Sequence, residues 1–373
     1  MRKLTVLAAV LAGSLMMTAC GGKKAEETTA AVTTAAEETT KAAEETTTEE
    51  TTEAESTEKE TAEETAEAEA VDGLRIGQAE VNASGDKSFA IVTAVIDEKD
   101  TVVASYIDEY QFFSTKEKGV PNSDKFIESG AVTEGKVLAS KRANNEFYSE
   151  MLKKAGSTKS IAENFDGIQE YAKGKTIEEL EALAGKTPEE AVDAVSSATL
   201  TSTPGYISAI AEAAKAAKEN PAVPYEGERE NLQLKRVDTA AHGDKAFTVA
   251  SALTDGDTVV LSYIDEYQFL STSEIGVPNN DKFIENGAVA EGKALASKRM
   301  NHEFYSEMMK KAGATKDIAE SFDLIQNYAN GKTIEELEAL AGKTPEEAVD
   351  AVSGATLTDT QGYVAAIVEA AQQ

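Results

Sequence analysis

The sequence predicts an α/β (α+β) protein: two tandem homologous domains, each a small antiparallel sheet packed with several helices, behind a long linker. Three observations carry this. Residues 174–196 recur unchanged as 331–353, and 105–112 recur as 262–269, so the chain is an internal duplication. β-branched runs flank charged turns, and apolar residues at helical spacing follow them. Each copy, at roughly 150 residues, can enclose its own core, and the period far exceeds that of a solenoid.

The elements follow in order. Residues 89–96 and 101–107 form a hairpin, and the second copy strengthens it with Asp255-Gly256-Asp257 at the turn. A helix over 145–155 puts Phe147, Met151 and Ala155 on one face, and another over 161–172 aligns Ile161, Phe165, Ile168 and Tyr171. Thr176 with Glu179, and Thr187-Pro188 with Glu190, are capping boxes. The second opens a short helix that ends near Val195, and a further helix starts near Thr203-Pro204, or near Thr360 in the second copy. Residues 218–224, with Pro221 and Pro224, form the joint between a first domain at 71–220 and a second at 221–373.

The ends read differently. Arg2 and Lys3 precede an apolar stretch at 4–17, too short for a comfortable membrane span, and Met17-Thr18-Ala19-Cys20-Gly21 looks like a bacterial lipobox. Residues 1–20 are therefore expected to be a signal peptide ending at a lipidated Cys20, placing the chain on the outer face of the cytoplasmic membrane. The other reading is an ordinary secretory signal with an incidental cysteine. Residues 21–70 are almost wholly Glu, Thr, Ala and Lys, too polar to offset the entropy of ordering. They read as a disordered tether with an upper reach of roughly 165 Å.

Composition excludes much chemistry. Cys20 is the single cysteine, so neither an internal disulfide nor a cysteine-held cluster can form. His242 and His302 are the only histidines and both read as surface residues; no metal site is expected. With 36 basic and 67 acidic side chains, the formal charge of −31 argues against nucleic acid. Any redox work must come from an organic cofactor.

The motif that bears on function is Asp350-Ala351-Val352-Ser353-Gly354-Ala355-Thr356, matched in the first copy by Asp193-Ala194-Val195-Ser196-Ser197-Ala198-Thr199. Each threonine falls in a tight link between helices, just before a helix N-terminus that favours an anion. Thr358 and Thr360, or Thr201 and Thr203, are expected to add hydroxyl donors. Gly354 permits positive φ, while Ser353 and Ala355 keep bulk away. The plain structural alternative is a helix-linking turn of small residues.

An acid six residues before a threonine that follows Ser-Gly-Ala resembles the attachment motif of FMN-binding domains. The resemblance implies that a separate FAD:protein FMN transferase joins FMN to the threonine through a phosphoester. It assigns Thr356 and Thr199 as acceptors, with Ser353, Gly354, Ala355 and Asp350, and Ser196, Ser197, Ala198 and Asp193, as their flanks. Up to two covalent FMN groups per chain follow. Ser197 replaces the motif's glycine, and if positive φ is needed there it costs on the order of 1 kcal/mol. Thr356 is then the fuller site.

Lipobox, acidic tether and tandem domains together look most like the flavinylated lipoproteins of Gram-positive extracellular electron transfer. That likeness implies a redox carrier rather than a catalyst, passing electrons from a membrane quinol-linked donor to extracellular acceptors. The rival is a solute-binding or structural surface lipoprotein without flavin. Two further features have double readings. The repeated strand puts Tyr106, Asp108 and Tyr110 on one face, either beside the flavin or as the polar outer face of a half-buried strand. Lys141-Arg142 and Lys298-Arg299 read as solvated basic pairs, with contact to the phosphate or the flavin edge as the other reading.

Overall fold

The computed structural model describes residues 73–373, apart from residues 312 and 353. The expected signal peptide, Cys20 and the 21–70 tether lie outside the described residues. In the first repeat, β1 (Arg75–Val81), β2 (Ser88–Ile96), β3 (Val102–Ser114) and β4 (Lys136–Ser140) form an antiparallel sheet in that order. α1 (Ser123–Glu128) sits between β3 and β4. α2 (Asn145–Lys154), α3 (Ile161–Ala172), α4 (Ile177–Ala184), α5 (Pro188–Ala194) and α6 (Thr203–Lys218) follow.

The second repeat runs β5 (Leu232–Thr239), β6 (Ala246–Asp255), β7 (Thr258–Ser271), α7 (Asn280–Glu285), β8 (Lys293–Ser297), α8 (His302–Lys311) and α9 (Ile318–Ala329). It continues through β9 (Lys332–Thr333), α10 (Ile334–Ala341), α11 (Pro345–Ala351) and α12 (Thr360–Ala371). Among the described residues no helix is long and apolar enough to cross a membrane.

The expected hairpin is β2–β3, and both expected capping boxes are present in each repeat. β1 and β4 carry no strong signal of their own: β1 contains Gly77 and Gln78, and β4 is short. They become strands because each pairs along its length with a β2–β3 hairpin already rich in β-branched residues.

β2 is buried at every residue. Its alternation sends Ala90, Val92, Ala94 and Ile96 under the helices of its own repeat, into a core with Phe165, Leu180 and Ile207. Phe89, Ile91 and Val95 point the other way and pack against Phe247, Val249 and Leu253 of the second repeat. Each sheet is thus covered by its own helices on one face and by the other sheet on the opposite face. The described residues form one compact body of four layers, helix–sheet–sheet–helix. Each repeat keeps a helical core of its own, and two further apolar clusters are shared.

The two halves meet across a pseudo-twofold axis. The counterparts Thr93 and Ser251 share a hydrogen bond of 3.0 Å. Asn122 donates to the carbonyls of Gly243 and Ala246 at 2.8 and 2.7 Å, and Asn279 donates to those of Gly85 and Ser88 at the same two distances. Both asparagines adopt the left-handed conformation, with φ of 65° and 66°, which their short polar side chains tolerate.

Candidate cofactor-attachment site

α11 delivers the second motif. The chain leaves it at Val352 and enters α12 at Thr360, with Val352, Ala355 and Leu357 turned into the core. Thr356 is left half-buried between them. Gly354 is exposed with φ of 92°, a conformation that glycine reaches without the clash of a side chain. Ser353 lies outside the described residues. Asp350 and Asp193 are exposed on the final turns of α11 and α5, where the sequence puts them. Ala198 is buried, Ser196 exposed and Ser197 half-buried.

Beside Thr356 lies a cavity of about 320 Å³, lined by Leu357, Lys298, Tyr305, Met309, Tyr363 and His242. That volume lies at the lower end of the range for small-molecule sites. Lys298 and Tyr363 form a buried inner wall, while His242, Asp359 and Thr358 line its open rim. Lys298 forms an ion pair with Glu266, and neither side chain reaches solvent. Lys298 also donates to the Tyr305 hydroxyl at 2.7 Å, while Tyr363 and Thr248 donate to Glu266 at 2.9 and 3.1 Å. Burial, and then the Glu266 charge, raises the Tyr363 hydroxyl well above the usual phenol range, so it stays a donor. Phe322 packs its edge against Tyr363, with ring centres 5.0 Å apart.

The first repeat builds the same wall from Lys141, Glu109, Tyr148 and Tyr206. Tyr206, Ser84 and Ser88 donate to Glu109 at 2.6, 2.5 and 2.9 Å. Burial opposes ionisation of Glu109, but Lys141 and the hydroxyl donors together hold its carboxyl below the usual value.

Several sequence expectations change here. Lys141 and Lys298 are not solvated: they are 1% and 0% exposed and each pairs with a buried glutamate. Arg142 and Arg299 are half-buried, donating to the carbonyls of Ile107 and Ile264 at 2.6 and 2.7 Å. The repeated strand is reversed from the first reading. Glu109 and Glu266 face the helices and the attachment turn, whereas Tyr110 and Tyr267 face the junction between repeats. The polar-outer-face reading fails too: on the face of Tyr106, Asp108 and Tyr110 the last two are buried and Tyr106 is half-buried, with Arg236 of the second repeat over both tyrosine rings. Thr203 and Thr360 donate their hydroxyls to Leu200 and Leu357 carbonyls at 2.6 Å, closing the turns, and are not free for a phosphate. Thr201 and Thr358 are exposed. His242 and His302 lie at the surface as expected, each against an aspartate, Asp359 and Asp317 respectively.

The two turns differ most at the threonines. The Thr199 amide and hydroxyl both donate to Asn164 Oδ1, at 2.7 and 3.1 Å, and the hydroxyl also meets Ser157 Oγ at 2.9 Å. In the second repeat Ser321 and Ala314 occupy the places of Asn164 and Ser157. There the hydroxyl oxygens of both Thr356 and Ser321 are buried with no hydrogen-bond partner among the described residues. Ser197 is not strained, because the only described non-glycine residues at positive φ are Asp100, Asn122 and Asn279. Its loop takes another path: Ser197 donates to the Gly167 carbonyl at 3.0 Å, and its own carbonyl accepts from Lys159 at 2.5 Å. Where Ser197 needs Gly167 beside it, Gly354 sits against Leu324.

Sequence reasoning did not anticipate the Lys–Glu–Tyr–Tyr wall or Asn164. The signal available was an Asp-Glu pair in the middle of a long strand otherwise rich in β-branched and aromatic residues, recurring in both copies with a lysine 32 residues after the glutamate. No protein-family model, curated protein or solved structure matches the chain.

Proposed function

We propose that this chain is a covalent flavoprotein of the FMN-binding-domain kind, an electron carrier held outside the cytoplasmic membrane. The observation that carries the reading is the Thr356 hydroxyl: half-wrapped by the core, without a hydrogen-bond partner among the described residues, and set beside a cavity walled by Tyr305, Tyr363, the ion-paired Lys298 and, at its rim, His242 and Asp359. Buried hydroxyls normally find a partner, so an orphan at the motif's acceptor position fits a group whose bonding is completed by attachment.

The attachment reaction balances without redox change. The Thr356 Oγ attacks the FMN-side phosphorus of flavin adenine dinucleotide, the pyrophosphate P–O bond breaks, and AMP leaves with the bridging oxygen. The hydroxyl proton passes to a base on the transferase, and a metal held by that enzyme would offset charge on the phosphate. The bound flavin supplies paired uptake and single release of electrons. Around it, the hydroxyl-bearing Tyr305 and Tyr363 and the ion-paired Lys298 would form the inner wall, and the exposed Gly354 an open approach for the transferase. A lipid on Cys20 and the 21–70 tether would keep this body near a membrane quinol-linked donor and within reach of extracellular acceptors.

Protein purified from its native host should be yellow, fluoresce in a denaturing gel, and weigh more than its sequence by whole FMN units located on a motif threonine. Colourless protein of unmodified mass ends this reading and leaves the solute-binding or structural one.

A further inference from the structure

We infer that the two repeats are unequal acceptors because Asn164 and Ser157 hold the Thr199 hydroxyl, making this a one-flavin chain loaded at Thr356. The inference rests on the flavin reading above and adds to it which residues decide where the group goes. To attack phosphorus, a threonine hydroxyl must turn out of its pocket toward the transferase. For Thr356 that rotation breaks no hydrogen bond to any described residue. For Thr199 it breaks the bonds to Asn164 Oδ1 and Ser157 Oγ. Asn164 is 0% exposed and fixed in turn by its own donation to the Ser160 carbonyl at 2.7 Å, so it cannot follow the hydroxyl outward. Two partly buried hydrogen bonds correspond to modification roughly 10- to 100-fold slower.

Lys159 and Ser197 reinforce the difference. They tie the first turn to α3 and its approach by hydrogen bonds, while at the matching place in the second turn Gly354 sits against the apolar side chain of Leu324. Nor is the free state of Thr356 a by-product of good packing. Leaving its oxygen and that of Ser321 both buried and unpaired works against the stability of the second repeat.

The test uses the full chain co-expressed with an FAD:protein FMN transferase, read by intact mass and by peptide mapping at both threonines. Wild type should carry one FMN, on Thr356, and Thr356→Val should carry none over the same period. In the Thr356→Val background, Asn164→Ser with Ser157→Ala installs the second repeat's own residues and should restore one FMN, now on Thr199. The reciprocal change, Ser321→Asn with Ala314→Ser, should slow loading of Thr356 by a similar factor while raising the melting temperature. A folding defect could not produce that pair of effects. Equal loading of both threonines in wild type, or failure of the Asn164/Ser157 exchange to load Thr199, overturns the inference alone. Absence of FMN from both threonines, with the transferase active on another acceptor, overturns the flavin reading and this inference with it.

Discussion

Tyr267 donates its hydroxyl to Glu80 across the repeat junction at 2.7 Å, and on the other side of the pseudo-twofold axis Tyr110 does the same for Asp238 at 2.8 Å. The symmetry is incomplete. Arg236 stands beside Asp238 and also donates to Tyr110, whereas its counterpart Gln78 is neutral and donates to Tyr267 at 3.0 Å. Burial, followed by the charge of Asp265, pushes the Glu80 carboxyl up to about 8. Burial raises Asp238 less, to about 6, because Arg236 opposes it.

This pair gives the fold a pH dependence of known sign. Glu80 binds its proton more tightly in the folded chain than its usual value of 4.5 allows. Its stabilising contribution is complete below that value and is lost as pH rises toward about 8. Asp238 acts in the same direction over the narrower window from 3.8 to about 6. Urea midpoints of wild type should fall across the upper window, and those of Glu80→Gln should fall less. Parallel curves for the two proteins would show that Glu80 is not the group responsible.

The buried Lys298–Glu266 pair should be costly to split and cheap to replace whole. Lys298→Met leaves an uncompensated carboxylate at 0% exposure and should destabilise the chain by about 3–5 kcal/mol. Adding Glu266→Leu should recover a large part of that loss. Denaturant unfolding of the single and double variants measures both, and a double variant no better than the single would count against the ion pair as the cause.

Gly167 and Ser197 form a coupled pair. A Cβ at Gly167 would fall 2.6 Å from Ser197 Oγ and 2.8 Å from its carbonyl oxygen. In an open helix Gly→Ala stabilises by roughly 0.5–1 kcal/mol, but here overpacking should reverse the sign, with a loss of about 1–3 kcal/mol. Ser197→Gly in the same chain should remove much of the loss. A double-mutant cycle that sums additively would refute the coupling.

At the junction, Asn279→Ala removes its two donations to the Gly85 and Ser88 carbonyls and the 3.4 Å bond it accepts from Asn82, and places alanine at φ of 66°. The combined loss should be about 2–4 kcal/mol. Asn279→Gly loses the same bonds without the strain and should cost less, by on the order of 1 kcal/mol. Thermal melts of the two variants should separate in that order.

Local patterns were legible wherever the information is local. The β2–β3 hairpin, the capped helices and the turn that presents Thr356 all follow from short-range rules: β-branched runs, Thr-x-x-Glu boxes and a glycine where φ is positive. The cost at Ser197 does not arise, because its loop avoids positive φ by a path that depends on Gly167, thirty residues earlier. The facing of the repeated strand was misjudged for a related reason. Period-two alternation assigns Tyr106, Asp108 and Tyr110 to one face without saying what covers it.

From its residues alone, this protein's duplication, its element types and the position of its candidate acceptors could be read, since these depend on spacing and backbone preference. Tertiary structure decided that the two sheets pack face to face, that Lys298 and Glu266 are buried together under the helices of the second repeat, and that Asn164 reaches Thr199 while no described residue hydrogen-bonds the Thr356 hydroxyl. The physical reason is that a side chain's solvent exposure and hydrogen-bond partners are set by segments distant in the chain. Two nearly identical repeats therefore differ in the hydrogen bonding of their matching threonine hydroxyls.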